Sequence, residues 1–190
     1  MFNINVTHNE KRGKKLSNSN NKLSNKRSIF LKSLFEDPTR SDREIASHMG
    51  SYRQKIWRER KRLESENVVW GYTAIVDENK YNYVVYLVLL KLKPMSKELA
   101  DLMTRRKGKH EPEKQNIRLI NVLFVNGEYD CLIMFSAPDH ATARRYYDSL
   151  RIAYDEFLLE KPAIVDVNFA LVREGKTNPE LMKLYEFVPT

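Results

Sequence analysis

The sequence predicts an α+β chain in which a helix-turn-helix head precedes a βαββαβ domain. Three observations carry this. The excess positive charge is confined to one end. Two capped, amphipathic helices are joined by a single glycine. Apolar segments then alternate between strand-like and helix-like periodicity in the order β-α-β-β-α-β.

The chain has 190 residues and a formal charge of +8. Residues 1–27 hold seven cations and one acid, and residues 28–66 hold nine and seven. Residues 67–190 balance at seventeen of each. A basic third joined to a neutral remainder suits a protein of which one part meets a polyanion. The other reading of that charge is a tail that only aids solubility. Cys131 is the only cysteine, which excludes an intramolecular disulfide and a cysteine-based zinc site. A reducing, cytoplasmic setting fits. The four histidines, His8, His48, His110 and His140, lack metal-ligand spacing. The longest apolar segment, YVVYLVLLKLK at 83–93, is too short to span a bilayer and is broken by lysines. The N-terminus has no apolar signal core. No metal, cofactor or membrane partner is expected.

Residues 1–27 are rich in Asn, Ser and Lys, with too little apolar surface to offset the entropy of ordering, and read as a disordered basic arm. Such an arm either lies along DNA phosphates or is inert. A helix-turn-helix domain is assigned to 28–68. Phe30, Leu31 and Leu34 form one face of a first helix, which Pro38 ends. Ser41 and Glu44 form a capping box for a second helix, with Ile45, Ala46 and Met49 inward and Gly50 as a left-handed C-cap. Ser51 and Gln54 have the spacing of another capping box for a third helix. Its apolar side is expected to be Ile56, Trp57 and Leu63.

In a helix-turn-helix, the N-terminal residues of the second of the paired helices reach base edges. The candidate DNA-binding residues are therefore Ser51, Tyr52, Arg53, Gln54, Lys55, Arg58, Lys61 and Arg62. The first turn (Tyr52, Arg53, Gln54) would read bases, and Arg58 and Lys61 would meet phosphates. A three-helix bundle with a merely solvated basic face is the competing account.

VVWGYTAIV reads as a linker strand, with linker and hinge over 69–82. The βαββαβ domain is assigned to 83–175 and a C-terminal extension to 176–190. Strands are expected at 83–93, 117–125, 128–136 and 163–172. Helices are expected at 96–106 and 139–158, the second with Ala143, Tyr146, Tyr147, Leu150 and Ala153 inward and Pro162 stopping it. Residues 107–116 read as a polar loop, and 178–187 as a short terminal helix. Asn126-Gly127 predicts a type I′ hairpin. Along 83–90 both alternating faces are apolar: Tyr83, Val85, Leu87 and Leu89 on one, Val84, Tyr86, Val88 and Leu90 on the other. An open sheet bare on one face should alternate apolar with polar, so the bare face is expected to meet a second copy.

The order of these motifs resembles the Lrp/AsnC (feast/famine) transcriptional regulators. The matching residues are Glu44, Ala46 and Gly50 in the second helix, Arg62-Leu63-Glu64 closing the third, Gly71-Tyr72-Thr73-Ala74 in the linker, and Gly127, Tyr129 and Asp130 at the hairpin. The likeness covers roughly 28–175. It implies a winged form of the helix-turn-helix and an ACT-like RAM domain of ferredoxin-like topology. It also implies homodimers through the β-domain, often assembled into octamers, and an amino acid effector held near the hairpin residues Asn126, Gly127, Glu128, Tyr129 and Asp130. Three departures stand out. Arg60 occupies a position that is usually aliphatic, so either the helix is rotated or the arginine snorkels. Glu128 replaces an Asp. The loop at 107–116 is long and carries Lys107 and Lys109.

The function this implies is a sequence-specific DNA-binding transcriptional regulator, not an enzyme. One alternative resembles the sirohaem decarboxylases, which share the two-domain plan and use His and Arg in the β-domain. The strands here contain no histidine, and His110 and His140 are expected outside any pocket, so no catalytic residue is assigned. The other alternative is an architectural protein that binds DNA with little sequence preference.

Overall fold

In the computed structural model, residues 28–107 and 111–189 are described. The arm at 1–27 and residues 108–110, with Lys109 and His110, lie outside them. The chain divides into two compact units, one up to Ala74 and one from Ile75.

In the first unit, residues 28–36 are helical (α1), followed by α2 (Asp42–His48) and α3 (Arg53–Ser65). Phe30, Leu34, Ile45, Ala46, Ile56 and Leu63 are buried together, with Leu31, Met49 and Val69 packed against them. Each such large side chain contributes about 1.5–3 kcal/mol by leaving water. The Ser41–Glu44 capping box forms: the Glu44 N–H donates to Ser41 Oγ at 3.3 Å, and Glu44 Oε2 accepts from the Ser41 N–H at 2.8 Å. The Ser41 hydroxyl, which donates to Glu44 Oε2 at 2.6 Å, and then the Ser41 N–H hold the Glu44 carboxyl below its ordinary range.

Both α2 and α3 close with the paired hydrogen bonds of a Schellman motif. After α2, Ser51 N–H reaches Ala46 O at 2.8 Å and Gly50 N–H reaches Ser47 O at 3.3 Å, with Gly50 at φ 55°. After α3, Val68 N–H reaches Leu63 O at 2.9 Å and Asn67 N–H reaches Glu64 O at 3.2 Å, with Asn67 at φ 56°.

Three expectations fail in this unit. The second capping box does not form: α3 is capped by Tyr52, which makes no side-chain cap bond. Ser51 instead serves the α2 terminus, because the Schellman turn claims its N–H. Trp57 is half exposed, since the buried stripe runs through 56, 60 and 63 at helical spacing. No strand occurs between residues 28 and 74 among the described residues, so neither a wing nor a linker strand forms there.

The second unit has β1 (Val84–Leu90), α4 (Lys97–Lys107), a one-turn α5 (Glu111–Lys114), β2 (Arg118–Phe124), β3 (Cys131–Ala137), α6 (His140–Tyr154) and β4 (Ala163–Asp166). The four strands form one antiparallel sheet in the order β2-β3-β1-β4. The register places Val88 beside Ile133 and Tyr86 beside Phe135. These residues and Leu90 form a core with Leu99 of α4 and with Ala143, Tyr146, Tyr147 and Leu150 of α6. Both long helices therefore cover the same sheet face. On the opposite face lie Val85, Leu87 and Leu89, with Leu87 beside Met134 and Val165 and Leu89 beside Leu132. That face is apolar, as expected.

The polar loop at 107–116 contains α5. The strand expected over 163–172 ends at Asp166, and a two-stranded hairpin follows, β5 (Val172–Arg173) and β6 (Lys176–Thr177). Its two turn residues, Glu174 and Gly175, have φ 47° and 74°, as a type I′ turn requires. Asn126 and Gly127 have no positive φ. The β2–β3 connection spans 125–130 and closes with Val125 N–H on Asp130 O at 2.8 Å, so the expected two-residue turn is not used there. The helix expected at 139–158 gives way to a 3-10 turn at Asp155–Phe157, before Pro162. The terminal segment Leu181–Phe187 is also 3-10.

A buried carboxylate ties the hairpin to the sheet. Glu78, 5% exposed, accepts from Arg118 at 2.6 Å and from Arg173. Burial pushes its pKa up, but the Arg173 and Arg118 bonds outweigh this and leave it below the ordinary 4.5.

Candidate nucleic-acid interface and effector hairpin

The eight sequence-predicted interface residues all sit at the start of α3 or on its exposed side. Tyr52 is 64% exposed at the N-cap, and Arg53, Gln54, Lys55 and Arg58 are exposed. None of Arg53, Gln54, Lys55 and Arg58 has a side-chain hydrogen bond or ion pair among the described residues. Ser51 is half-buried in the turn.

The later cations differ. Lys61 is held by Glu64 at 2.9 Å, whose hydrogen bond raises the ammonium above the usual lysine range. Arg62 is bonded to Glu59, with Glu66 at 3.8 Å. The first two turns of α3 thus present free cations, and its last turns present internally neutralised ones. Trp57 adds a half-exposed indole between Arg53 and Arg58. Expected on the apolar side, it falls outside the stripe that a helical wheel draws through the buried Ile56 and Leu63.

Arg60 settles the main departure from the resemblance. Its guanidinium turns inward, donating to Asp42 Oδ1 at 2.8 Å, Tyr72 Oη at 2.9 Å and Arg40 O at 3.4 Å. It lies 5.7 Å from the Phe30 ring centre and 5.6 Å from that of Tyr72. An arginine thereby fills an inward position on α3 and fastens that helix to α2.

The hairpin residues expected to hold an effector are partly brought together. Asp130 is fixed, its N–H on Leu90 O at 2.9 Å and its Oδ2 accepting from Leu92 N–H at 2.7 Å. Lys91 lies over the Tyr129 ring at 5.4 Å and pairs with Glu160 at 3.1 Å and Glu128 at 3.6 Å. Asn126, Gly127 and Glu128 are exposed. In the single chain Glu128 already meets a cation, and these residues form an open rim.

One histidine contradicts its expected placement. His140 Nδ1 lies 2.8 Å from Tyr86 Oη, and both line an open surface groove of about 300 Å³ with Ala143, Arg144, Ile164, Val165 and Asp166, where His140, Arg144 and Asp166 are exposed to solvent. Burial, then the charges of Asp166 and Asp139, raise the Tyr86 phenol above its usual range. The sequence carried no signal for this groove, because its lining comes from three elements distant in the chain. Among the described residues no cluster of His, Cys, Asp or Glu could hold a metal ion, and no helix is long and apolar enough to cross a membrane.

No protein-family model matches the chain, and no curated protein matches it in sequence. Solved structures do match. An AsnC family transcriptional regulator from Agrobacterium tumefaciens is 20% identical, with a TM-score of 0.56 over 84% of this chain and 96% of that one. The Mycobacterium tuberculosis leucine response regulatory protein LrpA is 16% identical, with a TM-score of 0.62 over 80% and 97%. A transcriptional regulator from Neisseria meningitidis, solved as a complex with L-Met, is 16% identical, with a TM-score of 0.56 over 80% and 92%. The chain has the fold of the AsnC/Lrp transcriptional regulators.

Proposed function

We propose that this chain, which has the fold of the AsnC/Lrp regulators, is itself a sequence-specific DNA-binding transcriptional regulator that acts in the cytoplasm and is not an enzyme. The observation that carries the reading is the row of unpartnered, exposed Arg53, Gln54, Lys55 and Arg58 on the helix that follows the Gly50 turn. Gln54 and Arg53 suit bidentate pairing with adenine and guanine, and Arg58 suits a phosphate. The basic arm at 1–27 adds counterion release.

The finer architecture belongs to the same reading: a helix-turn-helix head at 28–68, a linker at 69–82, and a ferredoxin-like RAM domain at 83–175. Two copies pair through the apolar sheet face carrying Leu87, Leu89, Leu132 and Met134, and dimers can assemble into octamers. The heads then meet half-sites about 34–36 Å apart or a multiple of it. An amino acid effector near Glu128 follows from the resemblance and from the L-Met held by the Neisseria meningitidis regulator.

The experiment is to recover and sequence the genomic fragments that the protein retains, then to titrate salt on a recovered site and on random DNA. A shared motif with two half-sites, and a wide affinity gap that persists with salt, are expected. Equal affinity for both DNAs would favour the architectural alternative, and no binding to either would refute the reading.

A further inference from the structure

Residues four apart on a helix lie one above the next, so Arg53, Trp57 and Lys61 form a row along α3, with Gln54 and Arg58 beside it. All five are exposed and lie outside the buried stripe of Ile56 and Leu63. Trp57 is 50% exposed, and its indole has no hydrogen bond, ring contact or cation contact among the described residues. The chain's other tryptophan differs: the Trp70 indole N–H donates to Asn67 O at 2.8 Å. A single apolar side chain on a protein surface is ordinary. Here, however, the ring stands among the uncommitted Arg53, Gln54 and Arg58, a face suited to a polyanion, and phosphates offer an indole no apolar surface. The base edges of the major groove do offer one apolar group, the C5-methyl of thymine.

We propose that Trp57 is a specificity-determining residue whose indole packs on the methyl group of a thymine in the major groove. Arg53 and Trp57 are one helical turn apart, about 5.4 Å, and stacked base pairs are about 3.4 Å apart. The recognised half-site therefore carries that thymine within about two base pairs of the base read by Arg53. Arg53 and Gln54 supply hydrogen bonds, and Trp57 adds the apolar contact that cytosine cannot return. Burying one methyl group changes affinity about fourfold. The inference deepens the regulator reading and rests on it.

The test replaces each thymine of a recovered genomic site in turn by deoxyuridine, which lacks only that methyl. Competition binding is measured for the full-length wild type, Trp57→Ala and Trp57→Phe, each variant checked for an unchanged circular dichroism spectrum. One replacement should weaken the wild type about fourfold, within about two base pairs of the position whose discrimination Arg53→Ala removes. The same replacement should leave Trp57→Ala unchanged, and Trp57→Phe should keep part of the effect. In a Trp70→Phe background, where Trp57 is the one remaining tryptophan, its fluorescence should shift when the site is added. The proposal is overturned if no replacement weakens the wild type, if the decisive replacement weakens Trp57→Ala as much, or if the Trp57 fluorescence ignores the site. A wild type that binds no DNA removes the regulator reading and this contact with it. A wild type that separates recovered from random DNA yet ignores every replacement keeps that reading and removes the thymine contact alone.

Discussion

Arg60 and Asp42 form a largely buried ion pair, Nε to Oδ1 at 2.8 Å, with side chains 14% and 16% exposed. It joins the two helices of the helix-turn-helix where an aliphatic contact would also serve. Removing either partner alone strands a charge, at a cost of about 3 kcal/mol. Replacing both by apolar residues should cost far less. Urea unfolding of Arg60→Leu, Asp42→Ala and the double variant should therefore give a strongly non-additive cycle. Additive losses would show that the pair is not coupled.

For DNA, the free cations should matter more than the paired ones. Arg53→Ala and Gln54→Ala should each lose roughly 1–3 kcal/mol of discrimination between recovered and random sites. Arg58→Ala should flatten the salt slope by about 0.9, whereas Arg62→Ala, which removes a cation already bonded to Glu59, should flatten it less. Competition binding at several salt concentrations separates the two effects. An Arg62 effect larger than that of Arg58 would reverse the assignment.

Assembly is tested at two adjacent residues. Val88 is fully buried under the helices, while Leu87 lies on the bare face beside Met134 and Val165. Leu87→Lys should give a folded monomer by light scattering. Val88→Lys should fail to fold, because it places an unpaired ammonium in the core. A stable wild-type monomer at micromolar concentration would remove the dimer proposal.

Acid sensitivity should trace to Glu78. Its folded pKa is depressed by Arg173 and Arg118 against the cost of burial. The stabilisation is therefore present above the ordinary 4.5 and is lost as pH falls through the folded value. Glu78→Gln should lower stability at neutral pH and reduce its decline below pH 4.5. Thermal melts of both proteins across that range read this directly, and parallel curves would assign the acid response elsewhere.

Cys131 is 1% exposed, and burial pushes its thiol up to about 11. A thiol-specific reagent at neutral pH should react only after denaturant is added. Immediate reaction in the native protein would place Cys131 outside the core.

Local signals fixed much of the plan before any contact was known. The Ser41–Glu44 cap, the Gly50 turn and the alternation through 83–90 each depend on neighbours within one helical turn or one strand, so sequence spacing reports them directly. The same holds for the cations that open α3. The failures occur where a distant partner competes. Ser51 spaces correctly for a cap, but the α2 terminus takes its N–H. Asn126-Gly127 has the residues of a tight turn, yet the connection is longer, because Asp130 is drawn onto the backbone of Leu90 and Leu92. Trp57 is apolar and still half exposed, because Arg60 brings its own counter-charge and takes the inward position. The groove of Tyr86, His140, Arg144 and Asp166 is assembled from β1, α6 and β4, so no window of sequence contains it. Its chemistry exists only once the sheet register sets Asp166 beside Tyr86 and the start of α6 brings His140 against Tyr86.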